Sequence, residues 1–409
     1  MKQRIIALTV VALALQGFVP FAQVGAQPPE RCDQGTQTDG AIYLICLPED
    51  QPWNGDLVIF AHGYVAFNEP IALPDLELPS GELLPDLVNG LGYAFATTSY
   101  SVNGLAVLEG VKDVIDLVDV FTQSYGVPGR VYLTGGSEGG LVTALAVEQH
   151  PEVFDGGLAA CGPIGDFRDQ VDYWGDFRVA FDYFFPGLIP GSPVEVPEEV
   201  IENWDSTYAP AVSQAIAADP DATAQLLQVT GAPIDPKDPS SVDETVLGLL
   251  WYNVFATNDG TEKLNGQPYG NRLRIYRGSA HDLLLNRTVE RFTAEKPALN
   301  TINQDYQTSG DLVSPLITLH TTGDPIIHYW HERAYKAKVA ANGDSSLHVN
   351  IPVLRYGHCE FKNYEVLAAF ALLVFKSSGR ELVGVRNVLP IERDWQAYSS
   401  MAREYGAIR

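Results

Sequence analysis

Short apolar runs alternate with amphipathic stretches of helical length along most of this chain. Residues 41–47, 56–60 and 92–98 are apolar, β-rich and short enough to be strands. Leu108, Val111, Ile115, Val118 and Phe121 then recur at three- and four-residue spacing, which predicts a helix ending near Gly126. Strand-like runs return at 131–134 and 157–160, and again at 315–319 and 349–354, with a closing helix expected over 365–375. This alternation predicts an α/β fold, a doubly wound and mostly parallel sheet with helices on both faces.

The alternation stops between 162 and 311. That stretch is dense in aromatics, including Phe167, Tyr173, Trp174, Phe177, Phe181, Tyr183, Phe184 and Phe185. Helical pieces are expected around 199–203, 211–218 and 242–254, so 162–311 reads as an inserted, mainly helical cap. The sheet occupies 27–161 before the insert and 312–409 after it. Most of the aromatics suit the insert's own core. Tyr173, Trp174, Phe181 and Phe184 are the candidates for lining an apolar substrate pocket beneath it.

The first residues change the picture of compartment. Lys2 and Arg4 precede an apolar run from Ile5 to Leu15, and Val24-Gly25-Ala26 offers a small-residue cleavage site. Residues 1–26 therefore read as a cleaved secretory signal, which makes the protein secreted or periplasmic. No later run has the ~18 apolar residues expected of a membrane helix. A net charge of −25 repels nucleic acid and anionic lipid alike, so neither is an expected partner. Four cysteines in an exported chain suggest two disulfides. Of the three possible connectivities, one pairs Cys32 with Cys46 across a short polar loop and leaves Cys161 with Cys359.

The chemistry centres on Gly135-Gly136-Ser137-Glu138-Gly139-Gly140, set between a strand-like run and a helical one. A strand, a Gly-x-Ser-x-Gly turn and a helix describe a nucleophile elbow, with the serine hydroxyl raised at the carboxyl edge of a sheet. Such a serine needs a base within hydrogen-bond reach and an acid to orient that base. His358 follows the last expected strand, on a loop that Gly357 lets turn sharply. Asp324 follows the strand at 315–319, with Pro325 restricting its backbone, and Asp311 is the reserve. For the oxyanion, one donor is the N–H of Glu138, directly after the serine. The other is expected from Ala61-His62-Gly63-Tyr64, at Tyr64, with His62 in a structural role. His320, His328, His331 and Glu332 lie close in sequence, but they do not complete a four-ligand set, so no metal or other cofactor is expected.

The His-Gly loop after an early strand, the serine turn, the strand-end Gly323-Asp324-Pro325 and the late Gly357-His358 resemble the α/β-hydrolase superfamily. The order Ser137, Asp324, His358 is that superfamily's order. The doubled glycines around the serine are similar to the hydrolase domain of prolyl-oligopeptidase-type peptidases. Gly357-His358-Cys359 resembles tannase and feruloyl-esterase relatives, in which a cysteine just before the serine bonds one beside the histidine. Gly136 holds that position here. The resemblance implies the fold and a Ser-His-Asp triad.

The first functional expectation is a serine hydrolase that cleaves small carboxylic esters through an acyl-enzyme. The alternative is a peptidase acting on short peptides, with Asp166, Asp169, Asp172 or Asp176 as anchors for a peptide terminus. A non-catalytic binding protein on the same scaffold is the third.

Overall fold

The computed structural model describes residues 32–78 and 81–408, so the expected signal segment lies outside the described residues. Strands β1 (Cys32–Thr36), β2 (Ile42–Cys46), β3 (Leu57–Ala61), β4 (Ala94–Thr98), β5 (Val131–Gly136), β6 (Gly156–Ala160), β7 (Leu316–Gly323) and β8 (His348–Tyr356) form one sheet. Their spatial order is β1-β2-β4-β3-β5-β6-β7-β8. β2 runs antiparallel to both its neighbours, and the remaining pairings are parallel.

Each central strand is buried on both faces, which is why it reads as a continuous apolar run rather than an alternating one. In β3, Leu57, Ile59 and Ala61 enter one core while Val58 enters the other. The first core lies under α2 (Val107–Tyr125) and α3 (Glu138–Gln149). α2 buries Val107, Val111, Val114, Leu117 and Phe121 along one stripe, turns Lys112 and Asp119 outward, and buries Asp113, whose carboxylate accepts the Ser101 N–H and hydroxyl. The second core lies under α12 (Asn363–Ser378) and α14 (Glu392–Glu404), with α1 (Leu84–Gly90) and α13 (Val385–Val388) at its edge. Helix α11 (Trp330–Asn342) connects β7 to β8.

Between β6 and β7 the chain leaves the sheet to form α4 (Phe167–Phe184), α5 (Glu198–Glu202), α6 (Ala209–Ala218), α7 (Pro220–Thr230), α8 (Ser240–Lys263), α9 (Asp282–Thr288) and α10 (Lys296–Thr301). Phe177, Phe181, Val200, Trp204, Val246 and Leu250 build the core of this insert. That core is continuous with Ala66 after β3 and with Ile326 and Ile327 after β7. Arg178 ties α4 to α8 from a fully buried position: its guanidinium donates to Asp182 Oδ1 at 2.8 Å, Asn253 Oδ1 at 3.0 Å and the Ile189 carbonyl at 2.9 Å. A buried cation paired with a carboxylate and with an acceptor at each of its nitrogens is tolerated, where an unpaired one would not be.

Two disulfides join distant parts of the chain. Cys32 is bonded to Cys46 across the β1–β2 pair, and Cys161 is bonded to Cys359, 198 residues later.

The turn between β5 and α3 depends on missing side chains. A Cβ on Gly139 would collide with the carbonyl oxygen of Ala61, and one on Gly135 with the carbonyl oxygen of Gly139. These atoms are backbone, so they cannot swing aside. We expect Gly139→Ala to lower stability by about 3 kcal/mol or to prevent folding. Soluble yield and the urea midpoint of unfolding measure this.

Candidate active site

β5 ends in Gly136, and the next residue, Ser137, takes φ 57° and ψ −123° before α3 begins at Glu138. A positive φ on a non-glycine residue costs energy and persists only where the surroundings enforce it. The outcome is a hydroxyl held at the carboxyl edge of the sheet. Its Oγ lies 2.8 Å from His358 Nε2. The other ring nitrogen, Nδ1, lies 2.7 Å from Asp324 Oδ2.

Asp324 stands one residue past β7 and has no solvent exposure. Its Oδ1 accepts the backbone N–H groups of Ile326 and Ile327, each at 2.9 Å. Burial works against its charge, but His358 and His320 outweigh it and hold the carboxyl down at about 2. The reserve residue, Asp311, is exposed and precedes β7.

Three side chains of the insert fix the Asp324 loop. Tyr173 donates its hydroxyl to the Pro325 carbonyl at 2.8 Å, while Gln170 and Trp174 donate to Ile326 O at 3.0 and 3.2 Å. The His358 loop is fixed from the other side. Gly357 has φ 105°, Thr321 donates its hydroxyl to the Gly357 carbonyl, and the Cys161–Cys359 bridge follows immediately. Cys161 is buried just beyond β6, and its N–H donates to Leu319 O at 2.8 Å. The imidazole is therefore fixed from β6 and β7 as well as β8.

The loop after β3 presses against the nucleophile, with a Cβ on Gly63 only 3.3 Å from Ser137 Cβ. His62 is buried, stacks on Tyr100 at 3.9 Å and donates Nδ1–H to Gly63 O at 2.7 Å. Burial pushes its ring pKa down. Glu138 opens α3, so its N–H has no partner within the helix. Tyr64 lines the same cavity as Ser137, but its hydroxyl donates to Phe255 O in the insert at 3.0 Å. That hydroxyl is turned away from the serine, which leaves the backbone N–H as what Tyr64 can offer an oxyanion.

Beside Ser137 lies a cavity of about 90 Å³, lined mostly by apolar side chains that include Leu105, Val107, Leu141, Phe167 and Trp174. The structure corrects the expected lining. Trp174 reaches the cavity; Tyr173, Phe181 and Phe184 do not. Tyr173 reaches from α4 to the Asp324 loop as described, Phe181 is fully buried against Phe185 inside the insert, and Phe184 packs edge-on against Tyr183. The face of α4 turned to the cavity carries Phe167, Val171 and Trp174, spaced by four and three residues. That helical spacing was present in the sequence; the density of aromatics drew attention to the wrong face.

Tyr252 on α8 carried no such signal, because it sits in an apolar helical run that reads as core. It lines the cavity and stacks on Trp174 with centroids 4.9 Å apart. Burial pushes its phenol pKa up, and an interaction with the Ser137 hydroxyl opposes this. The insert thus brings a polar group to the nucleophile.

Most of the remaining candidates serve the scaffold, while Asp169 is exposed on α4. Asp166 caps α4, accepting the N–H groups of Arg168 and Asp169. Asp172 and Asp176 are paired with Arg274 at 3.1 and 2.9 Å. His331 is buried, accepts Gly165 N–H on Nδ1 at 3.0 Å and donates Nε2–H to Gln170 Oε1 at 2.8 Å. Among the described residues, the one grouping of metal-ligating types is Cys161, His358 and Cys359. Its sulfurs are bonded to each other and offer no thiolate.

Residues 89–173 match the sequence model of the prolyl oligopeptidase family, a stretch that contains β5, the serine turn and α3. No curated protein matches the sequence. Among solved structures, the chain is similar to Est1E from Butyrivibrio proteoclasticus, with 12% identity and a TM-score of 0.41 over 85% of this chain and 99% of that one. It is similar to the esterase Pf2001 of Pyrococcus furiosus, with 12% identity and a TM-score of 0.40 over 91% of each chain. For the acylaminoacyl peptidase of Pyrococcus horikoshii the values are 11% and 0.43, over 86% of this chain and 41% of that one. At such identities and scores no substrate transfers from these proteins to this chain.

Glu138 supplies a pH test of the cavity. It is the only Asp, Glu, Lys or Arg among the lining residues, and Oε1 accepts Ala106 N–H at 3.0 Å. Burial raises its carboxyl to about 8. Below that pH the group is neutral; above it, a carboxylate stands in an apolar cavity beside the nucleophile. For an apolar substrate, kcat/KM should fall as pH rises through about 8. Glu138→Gln keeps the backbone donor, stays neutral and should remove that alkaline fall, which a pH–rate profile reads directly.

Proposed function

We propose that this chain is a serine hydrolase of the α/β-hydrolase type that cleaves carboxylic esters at Ser137. The observation that carries this reading is the unbroken contact from Ser137 Oγ through His358 to a fully buried Asp324. His358 takes the serine proton as Oγ attacks the acyl carbon, and Asp324 holds the ring tautomer and stabilises the imidazolium. The N–H groups of Glu138 and Tyr64 receive the developing oxyanion. The proton then passes to the leaving alcohol, and water releases the acid by the same steps in reverse order. No cofactor enters any step.

The cavity supports an ester with an apolar acyl or alcohol part. A peptide terminus would need a charged anchor, and Asp172 and Asp176 are already taken by Arg274. The family match over residues 89–173 keeps a short peptide as the second reading. We also propose an exported protein, secreted or periplasmic. Two disulfides are compatible with that compartment, and among the described residues no helix is long and apolar enough to cross a membrane.

The test compares p-nitrophenyl esters of varied chain length with aminoacyl-p-nitroanilides. Ester turnover should predominate. Ser137→Ala should lower kcat roughly 10⁶-fold, and Asp324→Asn by about 10⁴. Preference for anilides would establish the peptidase reading, and inertness to both substrate types and to a fluorophosphonate probe would refute hydrolysis.

A further inference from the structure

Behind Asp324 lies a buried polar cluster that the ester mechanism does not use. His320 on β7 has no solvent exposure. Its Nε2 donates to Ile327 O at 2.8 Å and lies 3.4 Å from Asp324 Oδ2. Its Nδ1 lies 3.1 Å from Glu332 Oε1. The other oxygen of Glu332 accepts the Thr318 hydroxyl at 2.6 Å. A carbonyl and an ionised carboxylate only accept, and a neutral imidazole has one N–H to give. Two acceptors at the two ring nitrogens therefore call for an imidazolium. Burial pushes a histidine the other way, but Asp324 and Glu332 overcome it and raise the ring to about 10.

The neighbours leave this charge unopposed by any other ion. His328 before α11 and His331 within it are pushed down by burial and by His320 itself. His348 on β8 is also pushed down by burial, and it reaches the cluster only through Thr318, 3.1 Å away. Tyr329 packs edge-on against His320 with its phenol pushed up by burial. Arg333 acts on His328, and Lys336 and Lys376 act on His348. His320 thus lies between Asp324 and Glu332, within reach of both carboxyl groups.

We propose that His320, gripped by Glu332, is a positioning residue for ester cleavage: a fixed positive charge that holds Asp324 ionised and in place, and extends the reaction to lower pH. Asp324 is shared between two imidazoles. The charge on His320 draws on the same carboxylate that His358 uses, so protons silence the base less readily than they would with Asp324 alone. This inference rests on the reading of Ser137, His358 and Asp324 as the reacting set.

Two measurements test it. In the Ser137→Ala protein with ¹⁵N-labelled histidine, one ring should stay doubly protonated through pH 9, and that signal should vanish in the added His320→Gln variant. In the active protein, the acid limb of kcat/KM for p-nitrophenyl acetate should move up by about one pH unit in His320→Gln. It should move down in Glu332→Gln, which keeps the imidazolium and removes a negative charge. Absence of the doubly protonated ring overturns the proposal, as do acid limbs that superimpose on the wild type with only the plateau lowered. Should His320→Gln fail to fold, the wild-type ring signal and the Glu332→Gln profile decide. Should the wild type hydrolyse neither substrate class, the ester reading fails, while the ring signal still decides whether the charge is there.

Discussion

The carbonyl of Ala61, at the end of β3, leaves no space for a Cβ on Gly139, and this backbone contact sets how closely α3 approaches the sheet. Because Gly135 meets Gly139 in the same way, the strand and the helix share a corner too tight for relaxed geometry. Ser137 takes up the difference with a left-handed backbone. Its hydroxyl projects from the sheet edge, toward loops that begin at the ends of β7 and β8. The serine and the two loop residues are thus positioned by one rigid sheet rather than by one another.

How much of this was legible in the sequence differs from element to element. The central strands were readable because both faces are buried, so 57–60 and 131–133 are continuous apolar runs. Ser137, Asp324 and His358 were readable as candidates because each follows such a run, and the structure brings the three side chains together. β1 was harder: Cys32–Thr36 is largely polar, and its strand character comes from pairing with β2. Inside the insert, composition pointed to aromatics without saying which way a helix would turn them. Tyr173 is the instructive case, since its hydroxyl finds a carbonyl on the Asp324 loop, a contact 152 residues away in sequence. Tyr252 and His320 were out of reach for the same reason: partners supplied by another element leave no local pattern.

The insert does more than roof the site. Through Gln170, Tyr173 and Trp174 it holds the turn that carries Asp324, and through Tyr64 and Tyr252 it meets the loop after β3 and Ser137. The lining of the cavity beside Ser137 and the support of the Asp324 turn therefore share one helix, α4. A substitution on its cavity face alters what fits, and one a residue away alters the carboxylate's support.

The bond between Cys161 and Cys359 closes a ring of chain that contains every helix of the insert and both final strands, yet its two sulfurs sit at the reaction centre itself. Thermal breathing or remodelling of the enclosed helices cannot pull the imidazole loop away from the end of β6, because the covalent clasp bypasses them. The His358 loop is in this sense insulated from the insert, which can vary in shape without carrying the histidine along, whereas the Asp324 turn stays coupled to α4.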